Sequence, residues 1–206
     1  MLLQRPGKII CVGRNYVAHA RELGNEVPKE PLLFLKAPSV MIPSGAPIVL
    51  PAQSRHVEFE GEIAVVIGRL TRRVTEAEAP RCIEGYTCLN DVTARDLQKS
   101  DSQWGRAKCF DTFCPAGPVV ATGLDWRALT VVTRLNGVER QRGAATEMAF
   151  SIPFLVHYIS HIMTLERGDL IATGTPAGTA PLSAGDVVEV EIPGVGVLSN
   201  PVTAEA

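Results

Sequence analysis

Three glutamates alternate along His56-Val57-Glu58-Phe59-Glu60-Gly61-Glu62, and the chain then runs into Ile63-Ala64-Val65-Val66-Ile67-Gly68. Read as a strand, the stretch puts Glu58, Glu60 and Glu62 on one face and Val57, Phe59 and Ile63 on the other, because side chains alternate with period 2. Positions two apart are separated by roughly 6.5–7 Å, so two glutamates can close on one hard cation. Carboxylates leading into an apolar run are costly unless paired or metal-bound. The alternative is a solvated strand face at a sheet edge, where charge is common. A further acid, Asp91, stands in Asn90-Asp91-Val92-Thr93-Ala94-Arg95-Asp96. Alone it suits a helix N-cap. With Glu60 and Glu62 it makes an all-oxygen donor set, the kind that holds Mg²⁺ or Mn²⁺. Zinc fits less well, since no Cys/His cluster has ligand spacing.

Lys108 lies in Trp104-Gly105-Arg106-Ala107-Lys108-Cys109-Phe110-Asp111. A cation in that apolar and aromatic setting needs an anion. The candidates are a substrate carboxylate, a developing enolate, Asp111 or one of the clustered carboxylates. His19 and Glu22 are spaced i, i+3 and share a helix face. A glutamate that orients a histidine makes a general base; an exposed helix pair is the commoner outcome of that spacing. His157 and His161 have no acidic partner in sequence and read as packing or surface residues. Thr173-Gly174-Thr175-Pro176-Ala177-Gly178 can cradle a carboxylate with free N–H groups and hydroxyls, or serve as a plain turn. Cys109 is the one thiol to watch, because Lys108 is its neighbour. P-loop, dinucleotide-binding and nucleophile-elbow signatures are absent.

These residues need elements to position them. Strands are expected at Ile9–Val12, Leu32–Leu35, Ile48–Leu50, the acidic stretch through Gly68, Gly85–Leu89, Pro118–Ala121, Val131–Leu135, Leu170–Thr173, Asp186–Ile192 and Val195–Leu198. Asn136-Gly137 and Pro193-Gly194 mark turns. Asn15 can cap a helix from Tyr16 to Leu23 that ends at Gly24-Asn25. Glu76–Arg81 and Asp91–Gln98 read as short helices, Lys99–Gly105 as a polar loop, and Pro153–Met163 as the clearest helix. The 18 glycines and 15 prolines are spread throughout the 206 residues, with no linker block or repeat. The expectation is one β-rich domain over 1–206, mixed α+β, a sandwich or rolled sheet with a few short helices. Net charge is −2 and 46% of residues are hydrophobic, which argues against a nucleic-acid or anionic-membrane surface. Met1–Pro6 lacks a signal-peptide pattern. Five cysteines without a C-x-x-C point to reduced thiols and a cytoplasmic setting.

Taken together the chain resembles the fumarylacetoacetate hydrolase family, in its catalytic domain. The matching stretches are Val12-Gly13-Arg14-Asn15-Tyr16 with His19, Pro31 to Lys36, Phe59 to Gly68, Asn90 to Gln98, Lys108 to Pro115 and Gly168 to Gly178. The resemblance implies the family's β-sandwich roll and a homodimer. It implies Glu60, Glu62 and Asp91 as ligands of Mg²⁺ or Mn²⁺, Lys108 as the cation near a keto-acid end, and Thr175 as a carboxylate-binding hydroxyl. His19 and Glu22 match the water-activating pair on a lid helix, and Arg14, Arg95 and Gln98 match substrate contacts. One departure stands out: many members carry His or Asp where this chain has Glu58, so Glu58 and Glu60 form a rival acidic pair.

The activity so implied is Mg²⁺-dependent C–C cleavage of a pyruvate-bearing 2-oxo acid, by acylpyruvate hydrolysis or oxaloacetate decarboxylation. Two rivals are an isomerase or decarboxylase of 2-hydroxy-dienedioates, and a non-catalytic protein that binds 2-oxo acids.

Overall fold

The apolar runs become the central strands of two packed sheets. The computed structural model describes residues 3–22, 24 and 26–205. In chain order the strands are β1 (Ile9–Gly13), β2 (Leu32–Lys36), β3 (Met41–Ile42), β4 (Ile48–Leu50), β5 (Val57–Glu58), β6 (Gly61–Ile67) and β7 (Ile83–Asn90). They continue with β8 (Thr93–Ala94), β9 (Cys114–Ala121), β10 (Thr130–Leu135), β11 (Val138–Ala144), β12 (Leu170–Ala172), β13 (Val187–Ile192) and β14 (Gly196–Ala204). The helices are α1 (Val17–Glu22), α2 (Arg95–Ser100), α3 (Gly105–Lys108) and α4 (Ile152–Ile162). One sheet runs β2-β1-β12-β6-β7-β9-β3, the other β11-β10-β13-β14-β4, and β5 pairs with β8 alone.

All seven residues of β6 are buried, as expected of a central strand flanked by β12 and β7. Ile63, Val65 and Ile67 face the inter-sheet core with Val131, Val190, Ile192, Leu198 and the α4 residues Ile152, Leu155 and Ile159. Ala64 and Val66 face the opposite side with Ile9, Cys11, Leu89 and Leu170. Burying each large aliphatic side chain contributes about 1.5–3 kcal/mol, so β6 is firmly seated, and its entry end carries the acidic residues.

Several expectations shift. The acidic stretch is not one strand: pairing passes from β8 to β7 across Phe59–Glu60, where the Asn90 side chain accepts the Glu60 N–H at 2.9 Å. Asn15 caps no helix. Its side chain instead cross-links Phe150 N–H and C=O and the Thr173 carbonyl. Leu23 and Asn25, the expected end of that first helix, lie outside the described residues. The helix at 76–81 shrinks to a 3₁₀ turn at Ala79–Cys82, and the one at 91–98 begins only at Arg95. The Lys99–Gly105 loop is narrower, since α2 runs through Ser100 and α3 starts at Gly105. β11 and the first half of β9 were not expected as strands. Among the described residues no helix is long and apolar enough to cross a membrane.

Candidate active site

Asp91 arrives at the end of β7 as Glu60 and Gly61 enter β6, so the register of that pair sets the site. The Asp91 N–H donates to the Glu60 carbonyl at 2.8 Å, and Gly61 pairs with Asn90. Residue 61 must be glycine, since a Cβ there would lie 1.9 Å from Thr133 Oγ1. Among the described residues, Glu60, Glu62 and Asp91 are the group of acids whose ligand atoms lie within 4.8 Å of one another. All three are buried. Glu58 stands apart, held by Arg95 Nε at 2.7 Å and His56 Nε2 at 2.9 Å.

Three cations neutralise the cluster. Lys108 Nζ donates to Glu60 Oε2 at 2.8 Å and Asp91 Oδ2 at 2.6 Å, and it lies 4.9 Å from the Phe34 ring centroid. Its partners are therefore the clustered carboxylates, not Asp111. Arg95 spans Glu58, Glu60 and the Gln98 side-chain oxygen, so much of its fork is spent inside the protein. Lys36 completes the set, donating to Asp91 Oδ1 at 2.6 Å and the Val92 carbonyl at 3.1 Å. Sequence reading gave Lys36 no role. The available signal was a lysine ending an apolar strand, which needs a buried anion.

The balance is uneven across the three acids. Burial pushes the Glu60 carboxyl up, but the Arg95 and Lys108 charges outweigh it and hold it well below the usual range. Glu62 is shifted the other way, by burial and by the Asp91 and Glu60 charges, which outweigh the Gly174 N–H at 2.8 Å and the Lys108 charge. Lys108 keeps its proton despite burial because Asp91 and Glu60 face it. An acid set short of positive charge on the Glu62 side, with hard oxygen donors converging, fits a divalent cation.

His19 is buried on α1, and its Nδ1 lies 3.0 Å from Glu22 Oε2. A carboxylate only accepts, so Nδ1 carries the hydrogen, and in the neutral imidazole Nε2 then has the lone pair. Glu22 also accepts the Gly178 N–H at 3.1 and 3.2 Å, which ties the helix to the 174–178 turn. Thr175 Oγ1 accepts from Gln141 Nε2 at 2.7 Å and donates to the Gly61 carbonyl at 2.9 Å. Its hydroxyl thus bridges the Gln141 amide and the Gly61 carbonyl at the cavity wall.

A cavity of about 460 Å³ is lined by Arg14, His19, Glu22, Glu60, Glu62, Asp91, Arg95, Gln98, Lys108 and Thr175, with Phe34 and Trp104 on its wall. Arg14 is held at φ 58°, a strained backbone for a residue other than glycine. A larger groove of about 700 Å³ elsewhere contains none of these side chains. His157 and His161 direct Nδ1 at the Val74 and His157 carbonyls on α4. The five cysteines are unpaired.

Fold and site together define a two-sheet protein with a carboxylate-lined cavity and a histidine–glutamate pair at its edge. The chain belongs to the fumarylacetoacetate hydrolase family: the family's C-terminal domain pattern, Fumarylacetoacetate (FAA) hydrolase C-terminal, matches residues 8–203. It is 42% identical over 193 residues to the mitochondrial oxaloacetate tautomerase FAHD1 of Bos taurus, spanning 91% of this chain and 87% of that one. It superposes on a 2-hydroxyhepta-2,4-diene-1,7-dioate isomerase from Mycobacterium marinum with TM-score 0.91 and 44% identity, over 98% of this chain and 76% of that one. It also matches a fumarylpyruvate hydrolase from Pseudomonas aeruginosa in complex with Mn²⁺ and pyruvate, TM-score 0.90 and 30% identity, over 96% of this chain and 90% of that one. These relatives carry the names of enzymes, and one was crystallised with a divalent metal.

Proposed function

We propose that the protein is a divalent-metal-dependent enzyme that moves a proton at the carbon beside the keto group of a 2-oxo acid, interconverting keto and enol forms. The observation that carries this reading is that one cavity contains the Glu60–Glu62–Asp91 cluster, Lys108 and a histidine whose free nitrogen is Nε2. Glu60, Glu62 and Asp91 would hold the cation, Mg²⁺ or Mn²⁺, which when bound would supply Lewis acidity at the substrate's 2-oxo group. Lys108 spends two N–H groups on Glu60 and Asp91, leaving its third as a donor for the oxygen on which charge builds. His19 Nε2 takes the proton from the adjacent carbon and hands it to the 2-oxo oxygen to give the enol, the reverse order giving the keto form, and Glu22 stabilises the imidazolium in between. Two named relatives, at 42% and 44% identity, carry proton-shift names, tautomerase and isomerase.

Hydrolytic C–C cleavage, the activity implied by the sequence resemblance, is the second reading. The same His19–Glu22 pair can activate water for attack on a distal carbonyl, as the name of the hydrolase relative suggests. The two separate in one assay set: conversion of enol to keto oxaloacetate, and loss of acetylpyruvate, each with Mg²⁺ or Mn²⁺ and again with EDTA. Metal-dependent conversion of the first without loss of the second is the expected result. Loss of acetylpyruvate would move the reading to hydrolysis. Binding of oxalate without turnover of either would reduce the protein to a 2-oxo acid binder.

A further inference from the structure

The second sheet reaches the site through a buried side chain that bonds both to Gly61 and to the turn at Thr175 and Pro176. Gln141 sits mid-strand on β11, 1% exposed, on a sheet that carries none of the clustered carboxylates. Its oxygen accepts the Gly61 N–H at 3.0 Å. Its nitrogen donates to Thr175 Oγ1 at 2.7 Å and to the Pro176 carbonyl at 2.6 Å. Those backbone partners fix which way the amide faces, because an N–H only donates and a carbonyl only accepts. Thr175, accepting from the amide, sends its own proton to the Gly61 carbonyl at 2.9 Å.

Both backbone polar groups of Gly61 are therefore held by one relay, and Gly61 is the residue between Glu60 and Glu62. The same turn supplies the Gly174 N–H to Glu62 and the Gly178 N–H to Glu22. Gln141 itself is not among the cavity's lining residues; whatever it does there, it does through Gly61 and the turn.

We infer that Gln141 is a positioning residue, which pins the Gly61 peptide to the Thr175–Pro176 turn so that Glu60 and Glu62 converge with Asp91 on one cation. The inference rests on the proposed metal reading of that cluster. Outer-shell partners of this kind change metal affinity by about 10–100-fold when removed. A purely structural role predicts only lost stability. Asn200 gives the control: it is equally buried on the same sheet and donates to the Pro43 and Ala46 carbonyls, far from the cluster in its contacts.

The experiment titrates Mn²⁺ into the metal-free native chain, Gln141→Leu and Asn200→Leu by calorimetry, and records each melting temperature. Both variants should melt earlier. Gln141→Leu should bind Mn²⁺ about 10–100-fold more weakly, whereas Asn200→Leu should stay within about twofold of native, its contacts lying outside the ligand shell. Gln141→Asn, one methylene too short to span Gly61 and Pro176, should show the same loss and serves if the leucine variant does not fold. Native affinity in a folded Gln141 variant would overturn the positioning role. Failure of the native chain to bind Mn²⁺ at all would remove the metal reading beneath it.

Discussion

The floor of the cavity and the helix at its rim are built on opposite plans. On the floor, Glu60, Glu62, Asp91, Lys36, Lys108 and Arg95 are all at least 95% buried, and each charged group there has a hydrogen-bonding or ionic partner of its own. At the rim stands the six-residue α1, tied down by Glu22, whose side chain is 37% exposed. Buried charges hold one another because leaving any one unpaired is expensive. A short helix held by a half-exposed side chain has less invested in it. The floor is thus where stability and the proposed cation site meet, and α1 is where the proposed acid–base pair can be altered without disturbing either.

The largest effects should fall on the floor. Lys108→Met leaves Glu60 and Asp91 short of a cation, and breaking a buried pair costs about 3–5 kcal/mol. Chemical denaturation of the metal-free variant should show that loss, and added Mg²⁺ should recover part of it by binding the folded state. A variant as stable as native without metal would contradict the floor's design. On α1, His19→Gln should lower turnover of the accepted 2-oxo acid by about 10²–10⁴-fold. Mn²⁺ affinity, read by calorimetry, should stay as in native; a parallel fall in both would erase the distinction between the two regions.

Glu22→Gln sharpens it further. A neutral amide can still accept one hydrogen bond but no longer stabilises a protonated His19. Turnover should fall, but less than for His19→Gln; turnover equal to native would count against the pair. The smallest effect lies outside both regions. Asp96 accepts from Ser54 Oγ at 2.6 Å and the Arg55 N–H at 2.9 Å, and although burial raises its carboxyl, those bonds hold it below the ordinary 3.8. A depressed carboxyl stabilises the fold above its unfolded value and ceases to do so as pH falls through its folded value. Melting curves of native and Asp96→Asn should therefore differ at neutral pH, begin to approach one another as pH falls below about 3.8, and converge only below the lower folded value.

Much of the floor was legible because its chemistry is local. Glu60-Gly61-Glu62 leads into an unbroken apolar run, and acids in that setting need a reason. Asp91 could be added because it ends a recognisable strand. What was hidden depends on partners far away in sequence. Lys36 looked like the tail of a strand, since its anion, Asp91, lies 55 residues on. The break at Phe59–Glu60 follows from a change of pairing strand, which a period-2 pattern cannot register. Asn15 looked like a helix cap because asparagine suits one; its partners at Phe150 and Thr173 claim it instead. Gln141 sits on Val138-Glu139-Arg140-Gln141-Arg142-Gly143-Ala144, which has almost no apolar alternation and becomes a strand by pairing with β10 across Asn136-Gly137.

The most direct test of the central claim is incorporation of solvent deuterium at the carbon beside the keto group of oxaloacetate, followed by NMR in native protein and in His19→Gln. Exchange well above the uncatalysed rate, abolished by EDTA and lost in the variant, is the predicted result. Exchange that persists with EDTA or in His19→Gln would contradict it.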